Sequence, residues 1–262
     1  MNTVKVGAVL LAGAPNEGRL KDVSPAPYEA LVEVGGRPMI EYVVDALLDA
    51  KSIGEIVVLG PEAELKAVLG ARPVKVVPAE GTIIGNVLRG LDALPDGDGR
   101  VLVASSDTPL VTGAVIDGLV DLCSQRDGDL YYPVCDRKVC EERFPGMKRT
   151  YIPLREGTFT GGNILMFNGA VLRRCAAAAA KFVAQRKSPV GLASLLGLGF
   201  IINLLLKRLT IAGLERKISR MFDLVGVAVV CPFPEIGVDV DKPSDLDLVQ
   251  GILGGGTAAG RG

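Results

Sequence analysis

The sequence contains no histidine and no tryptophan among its 262 residues. The lack of histidine excludes Ser-His-Asp and Cys-His catalysis, proton transfer by imidazole and histidine-ligated zinc. Any catalytic chemistry must therefore come from carboxylates, lysine, arginine, backbone amides or a metal ion held by oxygen ligands.

A charge excess of either sign is also missing, because 29 Lys and Arg residues balance 30 Asp and Glu residues to give a net charge of -1. Nucleic-acid binding needs a basic field, so nucleic acid is not expected as a partner. The five cysteines are odd in number and form no CxxC pair, which argues against a disulfide framework or a zinc ribbon. We expect buried thiols in a cytoplasmic protein.

Long hydrophobic runs are scarce as well. The apolar run at 6–13 is too short for a signal-peptide core, and we interpret it as a buried strand. Residues 190–206 form a stretch of 17 uncharged residues, whereas a membrane-spanning helix needs about 20 apolar residues. We expect this stretch to be helical and buried, either against the domain or against a second copy in a homodimer. The alternative is a peripheral membrane contact through 186–222, whose basic residues could face anionic lipid.

Short apolar runs alternate with helix-period segments through the first half of the chain, which is typical of a parallel sheet with crossover helices. Strands are predicted at 6–11, 55–59, 74–77, 101–105, 129–134, 163–167 and 225–231. Helices are predicted at 38–50, 83–91, 112–125 and 244–253, with a loop or short helix at 136–149. We therefore expect an α/β fold, Rossmann-like, with a mostly parallel mixed sheet flanked by helices. A single domain would span 1–253, with a helical insertion at about 170–222 and a disordered tail at 254–262.

The loop after the first strand has the composition of an anion-binding turn. Backbone N–H groups of Leu11, Ala12, Gly13 and Ala14 can turn inward as a nest, and Arg19 can add a bidentate phosphate contact. The loop has neither the P-loop nor the dinucleotide-binding fingerprint. The alternative interpretation is a plain turn that leaves the strand.

Asp107 follows the apolar strand at 101–105, at the position where open α/β sheets bind ligands. A carboxylate there is a hard oxygen ligand that suits Mg²⁺. The alternative is that Asp107 only caps the turn and the helix at 112–125.

Together these segments resemble the nucleotidyltransferases with a glycosyltransferase-A-like fold, a superfamily that includes the sugar-phosphate nucleotidyltransferases and the MobA-like enzymes. The matching residues, in the family's order, are Leu11-Ala12-Gly13, Arg19, Ala30-Leu31 and Gly36-Arg37-Pro38-Met39-Ile40. Ala14 stands where the family has a second glycine, and Glu29 stands where it has a lysine that contacts phosphate. Lys21, Arg37 and Arg19 are the candidates to supply the missing positive charge.

The resemblance implies roles for residues further along the chain. Asp107 lies in a segment similar to the family's metal-binding motif, and the segment 237–246 is similar to its second acidic element, which implies metal contacts from Asp241 and then Asp239. Asp245 is expected to cap or orient the last helix. The base and ribose would lie at Glu80, Gly81, Thr82 and Asn86, and the sugar or other acceptor at Gly162 and Asn163.

The function that the resemblance implies is Mg²⁺-dependent transfer of NMP from an NTP to a phosphorylated acceptor, with release of pyrophosphate. The acceptor would be a sugar 1-phosphate or a molybdopterin-like compound, and Arg19, Lys21 and Asp107 would be catalytic. Such a reaction needs alignment and charge neutralisation more than a protein nucleophile. A second interpretation is a catalytically impaired regulatory module that keeps only nucleotide or sugar binding because of Glu29, and a third is a membrane-docked scaffold using 186–222.

Overall fold

The computed structural model describes residues 5–185 and 188–255. In this part of the chain the strands are β1 (Val6–Leu11), β2 (Glu33–Val34), β3 (Arg37–Pro38), β4 (Ile53–Gly60), β5 (Lys75–Pro78), β6 (Arg100–Ser105), β7 (Leu130–Asp136), β8 (Ile152–Leu154), β9 (Gly157–Gly161), β10 (Ile164–Asn168) and β11 (Gly226–Val230). The central sheet has the order β5-β4-β1-β6-β10-β7-β9-β8, with β11 on β7, while β2 and β3 pair separately. Strands β5, β4, β1 and β6 are mutually parallel, and β10 is antiparallel to β6. The sheet is therefore mixed, and its parallel half comes from the first half of the chain.

The described helices are α1 (Met39–Asp49), α2 (Glu62–Leu69), α3 (Ile83–Ala93), α4 (Gly113–Ser124), α5 (Arg137–Arg143), α6 (Gly169–Gln185), α7 (Pro189–Leu196), α8 (Leu198–Leu205), α9 (Ile211–Phe222) and α10 (Pro243–Gly255). Threonine hydroxyls cap the N-termini of α3, α4 and α9. Thr82, Thr112 and Thr210 each accept a hydrogen bond from the backbone N–H of the residue three positions later. These bonds satisfy an amide that has no partner inside the helix.

The side chains of β1 alternate between two core layers, one on each face of the sheet. Ala8 and Leu10 lie in the core layer that contains α1 and α4, whereas Val9 lies in the layer that contains α3 and α6. Successive side chains of a strand point to opposite faces, so a continuous apolar run is required where helices cover both faces. The expected α/β class, with helices on both faces of the sheet and further helices between residues 169 and 222, is confirmed.

Most predicted strands and helices are found within two residues of their expected bounds, but several short elements were not predicted. Helix α2 buries only Leu65 and Leu69, too few apolar positions for a clear helical period. Strands β8 and β9 form a hairpin after the charged segment 136–149, which contains α5. The last helix extends to Gly255, so the disordered tail expected from residue 254 is wrong for its first two residues; residues 256–262 lie outside the described part.

The apolar stretch at 190–206 is helical as expected, since it contributes to α7 and α8. Burial against the domain is wrong for Ile202 and Leu206, whose exposed fractions are 54% and 55%, and burial against a second copy stays a prediction. The physical reason is that, among the described residues, the main contacts of α8 are with α7 and those of α7 are with α6. Among the described residues, no helix combines the length and the apolarity that crossing a bilayer requires.

The five cysteines are buried and carry free thiols, as the sequence predicted.

Candidate active site

The parallel strands bring their carboxyl ends to one edge of the sheet. Leu11, the last residue of β1, pairs with Ser105, the last residue of β6. Beyond the strands, the N–H of Ser106 donates to the carbonyl of Leu11 at 3.1 Å, so the two loops leave the sheet together. Because β10 is antiparallel to β6, its start lies at the same edge, where the N–H of Ser105 donates to the carbonyl of Asn163 at 3.3 Å. This is the edge at which open α/β sheets bind ligands.

Three carboxylates meet at this edge. Each of Asp107, Asp239 and Asp241 places one carboxylate oxygen within 4.8 Å of those of the other two. The N–H of Val240 donates to the carbonyl of Asp107 at 2.9 Å, which fixes the segment that carries Asp239 and Asp241 against the end of β6. Val240 itself is buried, so the segment has an apolar anchor between its two acidic residues. The sequence predicted all three residues as metal ligands, and the fold brings them together.

The electrostatics of Asp107 show that the carboxylates of the cluster repel one another. Burial, followed by the charges of Asp239 and Asp241, raises the pKa of Asp107 to about 7, against the opposing effect of the hydrogen bond from the Ser105 hydroxyl. Like charges at this distance repel strongly in a partly buried site. Helix capping does not explain Asp107, because Thr112 caps α4.

The donor set of the cluster fits Mg²⁺. Carboxylate oxygens are the hard ligands that Mg²⁺ takes in proteins, and a divalent ion would offset the mutual repulsion of the three aspartates. Asp245 supports the arrangement, because its buried carboxylate accepts the N–H of Asp241 at 3.3 Å and pairs with Lys242 at 3.0 Å. Asp245 thus orients the segment that precedes α10.

The glycine-containing loop lies beside the predicted nucleotide-base segment. A Cβ atom on Gly13 would lie 2.7 Å from the Cβ of Ala79, so only glycine permits this approach. The N–H of Ala12 donates to the carbonyl of Leu59 at 2.7 Å, and the N–H of Ala79 donates to the carbonyl of Gly60 at 3.2 Å. The loops after β1, β4 and β5 therefore form one surface, and Ala14 is exposed on it.

The residues predicted to hold base and ribose form an ordered, exposed turn. The side-chain carbonyl of Asn86 accepts the N–H of Glu80 at 2.8 Å, and Thr82 caps α3 with its hydroxyl. Glu80 also forms an ion pair of 2.5 Å with Arg89. Gly81, between them, has a φ of +71°, which favours glycine. The oxygens of Asn86 and Thr82 thus shape the turn.

Arg19 and Lys21 lie in a 3-10 turn, Arg19–Asp22, and both are exposed. Leu20 between them is fully buried in the same apolar cluster as Val238 and Val240. This packing brings the turn next to the segment that carries Asp239 and Asp241.

One of the three cations predicted to supply the missing phosphate-binding charge already has carboxylate partners. Arg37 forms ion pairs with Glu41 at 3.2 Å and Asp45 at 2.6 Å, and its guanidinium stacks 4.5 Å from the centre of the Tyr42 ring. Arg72 joins the same carboxylates, so the charge of Arg37 is neutralised in a surface network on α1. Of the three cations proposed from the sequence, Arg19 and Lys21 remain.

Glu29 lies against the outer part of the glycine-containing loop. Its N–H donates to the carbonyl of Ala14 at 3.0 Å, and its carboxylate lies 3.6 Å from the position of a Cβ on Gly18. The side chain is half-buried and faces the residue before Arg19.

On the other side of Asp107, the predicted acceptor residues Gly162 and Asn163 connect β9 to β10. The N–H of Asn163 donates to the carbonyl of Ile236 at 2.7 Å, and buried Gly162 donates its N–H to the carbonyl of Pro133 at 3.0 Å. Within the described residues, the buried side-chain nitrogen of Asn163 has no hydrogen-bond partner.

Arg149 is a site residue that the sequence did not reveal. Its guanidinium forms an ion pair with Asp239 and donates to the carbonyl of Gly161 at 3.4 Å. The sequence placed it at the end of the charged segment 136–149, and it lies 90 positions from Asp239. No motif spacing links two residues so far apart.

The fold and the site define a class of enzyme, the nucleotidyltransferases with a Rossmann-like sheet, which the sequence also predicted. Within that class, the chain belongs to the family of the MobA-like NTP transferase domain, whose family model matches residues 19–195.

Among solved structures, a hypothetical transferase from Thermus thermophilus is 36% identical, with a TM-score of 0.83, and the match covers 93% of this chain and 100% of that one. A 4-diphosphocytidyl-2C-methyl-D-erythritol synthase from Anaerococcus prevotii is 16% identical with a TM-score of 0.58, covering 97% of each chain, and shows the fold alone. A curated relative is the 2-C-methyl-D-erythritol 4-phosphate cytidylyltransferase of Streptomyces coelicolor, 34% identical over 41% of this chain and 43% of its own length. The chain thus spans less than half of this relative.

Proposed function

We propose that the protein transfers NMP from an NTP to a phosphorylated small-molecule acceptor and releases pyrophosphate, with Mg²⁺ as cofactor. The observation that carries this proposal is the meeting of Asp107, Asp239 and Asp241 at the sheet edge, next to the glycine-containing loop. Three clustered carboxylates without a neighbouring excess of positive charge suit a cation that neutralises phosphates. The proposed location is the cytoplasm, where the free thiols would stay reduced.

The proposed chemistry is a displacement at the α-phosphorus of the NTP. An oxygen of the acceptor phosphate forms the new P–O bond, and the bond to pyrophosphate breaks. Asp107 and Asp241, with Asp239 beside them, would hold Mg²⁺, which when bound supplies charge neutralisation of the phosphates. The nucleophile already carries negative charge, so the reaction requires no protein base, which suits a chain without histidine.

The other residues would bind and orient the two substrates. The N–H of Ala12 is already bonded to Leu59, so the backbone N–H groups of Gly13 and Ala14, with Arg19 and Lys21, would hold the β- and γ-phosphates. The turn at 80–86 would hold base and ribose, while Gly162 and Asn163 would hold the acceptor. CTP and a phosphorylated sugar or polyol are the first pair to test, because the curated relative named above is a cytidylyltransferase for such an acceptor.

A thermal-shift panel of the four NTPs with and without Mg²⁺, followed by pyrophosphate release with sugar and polyol phosphates, tests the proposal. We expect one NTP to stabilise the protein only with Mg²⁺, and pyrophosphate release from the wild-type protein. Asp241→Asn should lower that rate by a factor on the order of 100 to 1,000. Asp247→Asn, an exposed change further along α10, is the matched control and should retain the rate. Mg²⁺-dependent NTP binding without pyrophosphate release for any acceptor would instead favour the regulatory module.

We also propose that the segment 186–222 is a contact surface, either with a second copy or with an anionic membrane. The observation behind this is that Ile202 and Leu206 are exposed beside Lys207 and Arg208. Replacing Ile202 and Leu206 by serine should reduce self-association in analytical ultracentrifugation or binding to vesicles of anionic lipid. A wild-type protein that is monomeric and does not bind vesicles would contradict the prediction.

A further inference from the structure

Arg149 is a cation at the carboxylate cluster to which the proposed reaction assigns no role. Its side chain is 12% exposed and its ion-pair partner Asp239 is 25% exposed, so the pair is largely screened from solvent. A charged pair in such a place costs desolvation, and substitution by apolar residues is often no worse for stability. Stability alone therefore does not explain this buried pair.

The order of the strands separates two sides of the site. Gly13 and the turn at 80–82 follow β1 and β5, on one side of Asp107 at the end of β6. Arg149 contacts Gly161 at the end of β9, and Asn163 directly precedes β10, on the other side. The nucleotide and the acceptor must meet near Asp107, so a ligand group held by Arg149 belongs to the acceptor.

Among the described residues, Arg149 has more N–H donors than acceptors. A guanidinium has five N–H donors, and Asp239 and Gly161 accept two of them. A Cβ on Gly237 would lie 3.3 Å from one guanidinium nitrogen, so any side chain at this position would press against the fork. Ile236, next to Gly237, accepts the N–H of Asn163, whose side-chain nitrogen is buried without a partner in the described part of the chain. Arg149 and Asn163 thus both lie beside the backbone at Ile236 and Gly237.

We propose that Arg149 is a specificity-determining residue that binds the anionic group of the acceptor, with Asp239 as the residue that positions its guanidinium. The inference rests on the proposed function and adds the recognition of the acceptor. A planar guanidinium held by a carboxylate on one edge presents its remaining N–H groups to a phosphate. The phosphate would otherwise face three carboxylates, so this cation decides whether an anionic acceptor can enter.

The test compares Arg149→Gln and Arg149→Lys with the control Arg143→Gln, which removes an exposed arginine paired with Glu235 at 3.4 Å. With the acceptor that gives pyrophosphate release, Arg149→Gln should raise the acceptor KM by about 30-fold or more, because charge-assisted hydrogen bonds are lost. The dissociation constant of the NTP with Mn²⁺, measured by calorimetry, should change less than about threefold, since its contacts lie on the other side of Asp107. Arg149→Lys should recover part of the loss, and Arg143→Gln should behave as wild type.

A readout without turnover separates this inference from the proposed function. Inorganic phosphate, titrated calorimetrically into the protein saturated with NTP and Mn²⁺, should bind to the wild type and to Arg143→Gln but not to Arg149→Gln. If phosphate binding is lost only in Arg149→Gln and the wild-type protein releases no pyrophosphate, the proposed reaction is refuted but the anion site at Arg149 is supported. Equal phosphate binding by all variants, or no binding by the wild type, would overturn the inference. So would an Arg149→Lys variant that weakens NTP and phosphate equally, because that outcome indicates a structural role.

Discussion

Replacing Asp107 by asparagine is expected to abolish Mg²⁺-dependent pyrophosphate release, with a loss on the order of 1,000-fold in kcat/KM. The change removes a charge from the carboxylate cluster and no core volume. An asparagine oxygen can still accept the hydrogen bond from the Ser105 hydroxyl. The loss would therefore report on cation and phosphate binding and not on a damaged fold.

The same substitution should leave stability unchanged or increase it above neutral pH. The pKa of Asp107 is about 7 in the folded protein and 3.8 as the ordinary value, so the folded state binds more protons between these values. Unfolding free energy then falls as the pH rises through that window, and above pH 7 the cost of the buried charge is fully present. Asparagine never ionises and avoids this cost.

Asp117→Asn provides the opposite control. Burial raises the pKa of Asp117, but hydrogen bonds from Ser52 and Lys51 outweigh burial and lower it. A depressed pKa contributes stability above the unfolded value, which is lost as the pH falls, so this variant should be less stable at neutral pH and remain active. Melting curves near pH 8 together with pyrophosphate assays check both variants. Turnover by Asp107→Asn within about tenfold of wild type would refute the assignment of Asp107.

The parts of the site that local patterns determine could be predicted from the sequence. The strand before Asp107 is a continuous apolar run because helices cover both faces of the sheet. The end of this apolar run marks the end of the strand, so Asp107 is predicted in the loop that follows. The segment 237–246 was assigned by its resemblance to a family motif. Both predictions depend only on residues that are close in sequence.

The parts that tertiary contacts determine could not be predicted in this way. Arg149 reaches Asp239 only because β9 crosses beside the segment at 237, and no local pattern reports that crossing. Arg37 belongs to the family-like motif at 36–40, yet Glu41 and Asp45 on the first helix compete for its charge. Spacing along the chain indicates which residues can be near each other, whereas the partner of a charged side chain depends on every carboxylate within reach.

The second large effect is expected at the cations that replace the family lysine, since Glu29 stands at that position. Arg19→Ala and Lys21→Ala should each weaken NTP binding by about 10- to 100-fold, because hydrogen bonds to charged groups contribute about 1.5–3 kcal/mol. Both residues flank the buried Leu20, whose packing places the turn beside the acidic segment. Arg37→Ala is the matched control and should leave NTP affinity unchanged, because its partners are Glu41 and Asp45.

Glu29→Lys tests the same compensation from the opposite direction. The carboxylate of Glu29 lies beside Gly18, the residue that precedes Arg19. It does not lie beside the close contact between Gly13 and Ala79. If Arg19 and Lys21 already supply the charge, adding a lysine here should raise NTP affinity by less than about tenfold, or 1.4 kcal/mol. Calorimetric titration of the four variants with the NTP and Mn²⁺ gives the answer. A gain of tenfold or more in Glu29→Lys, together with little loss in Arg19→Ala and Lys21→Ala, would show that Glu29 limits triphosphate binding, because a carboxylate near a phosphate repels it in a partly buried cleft.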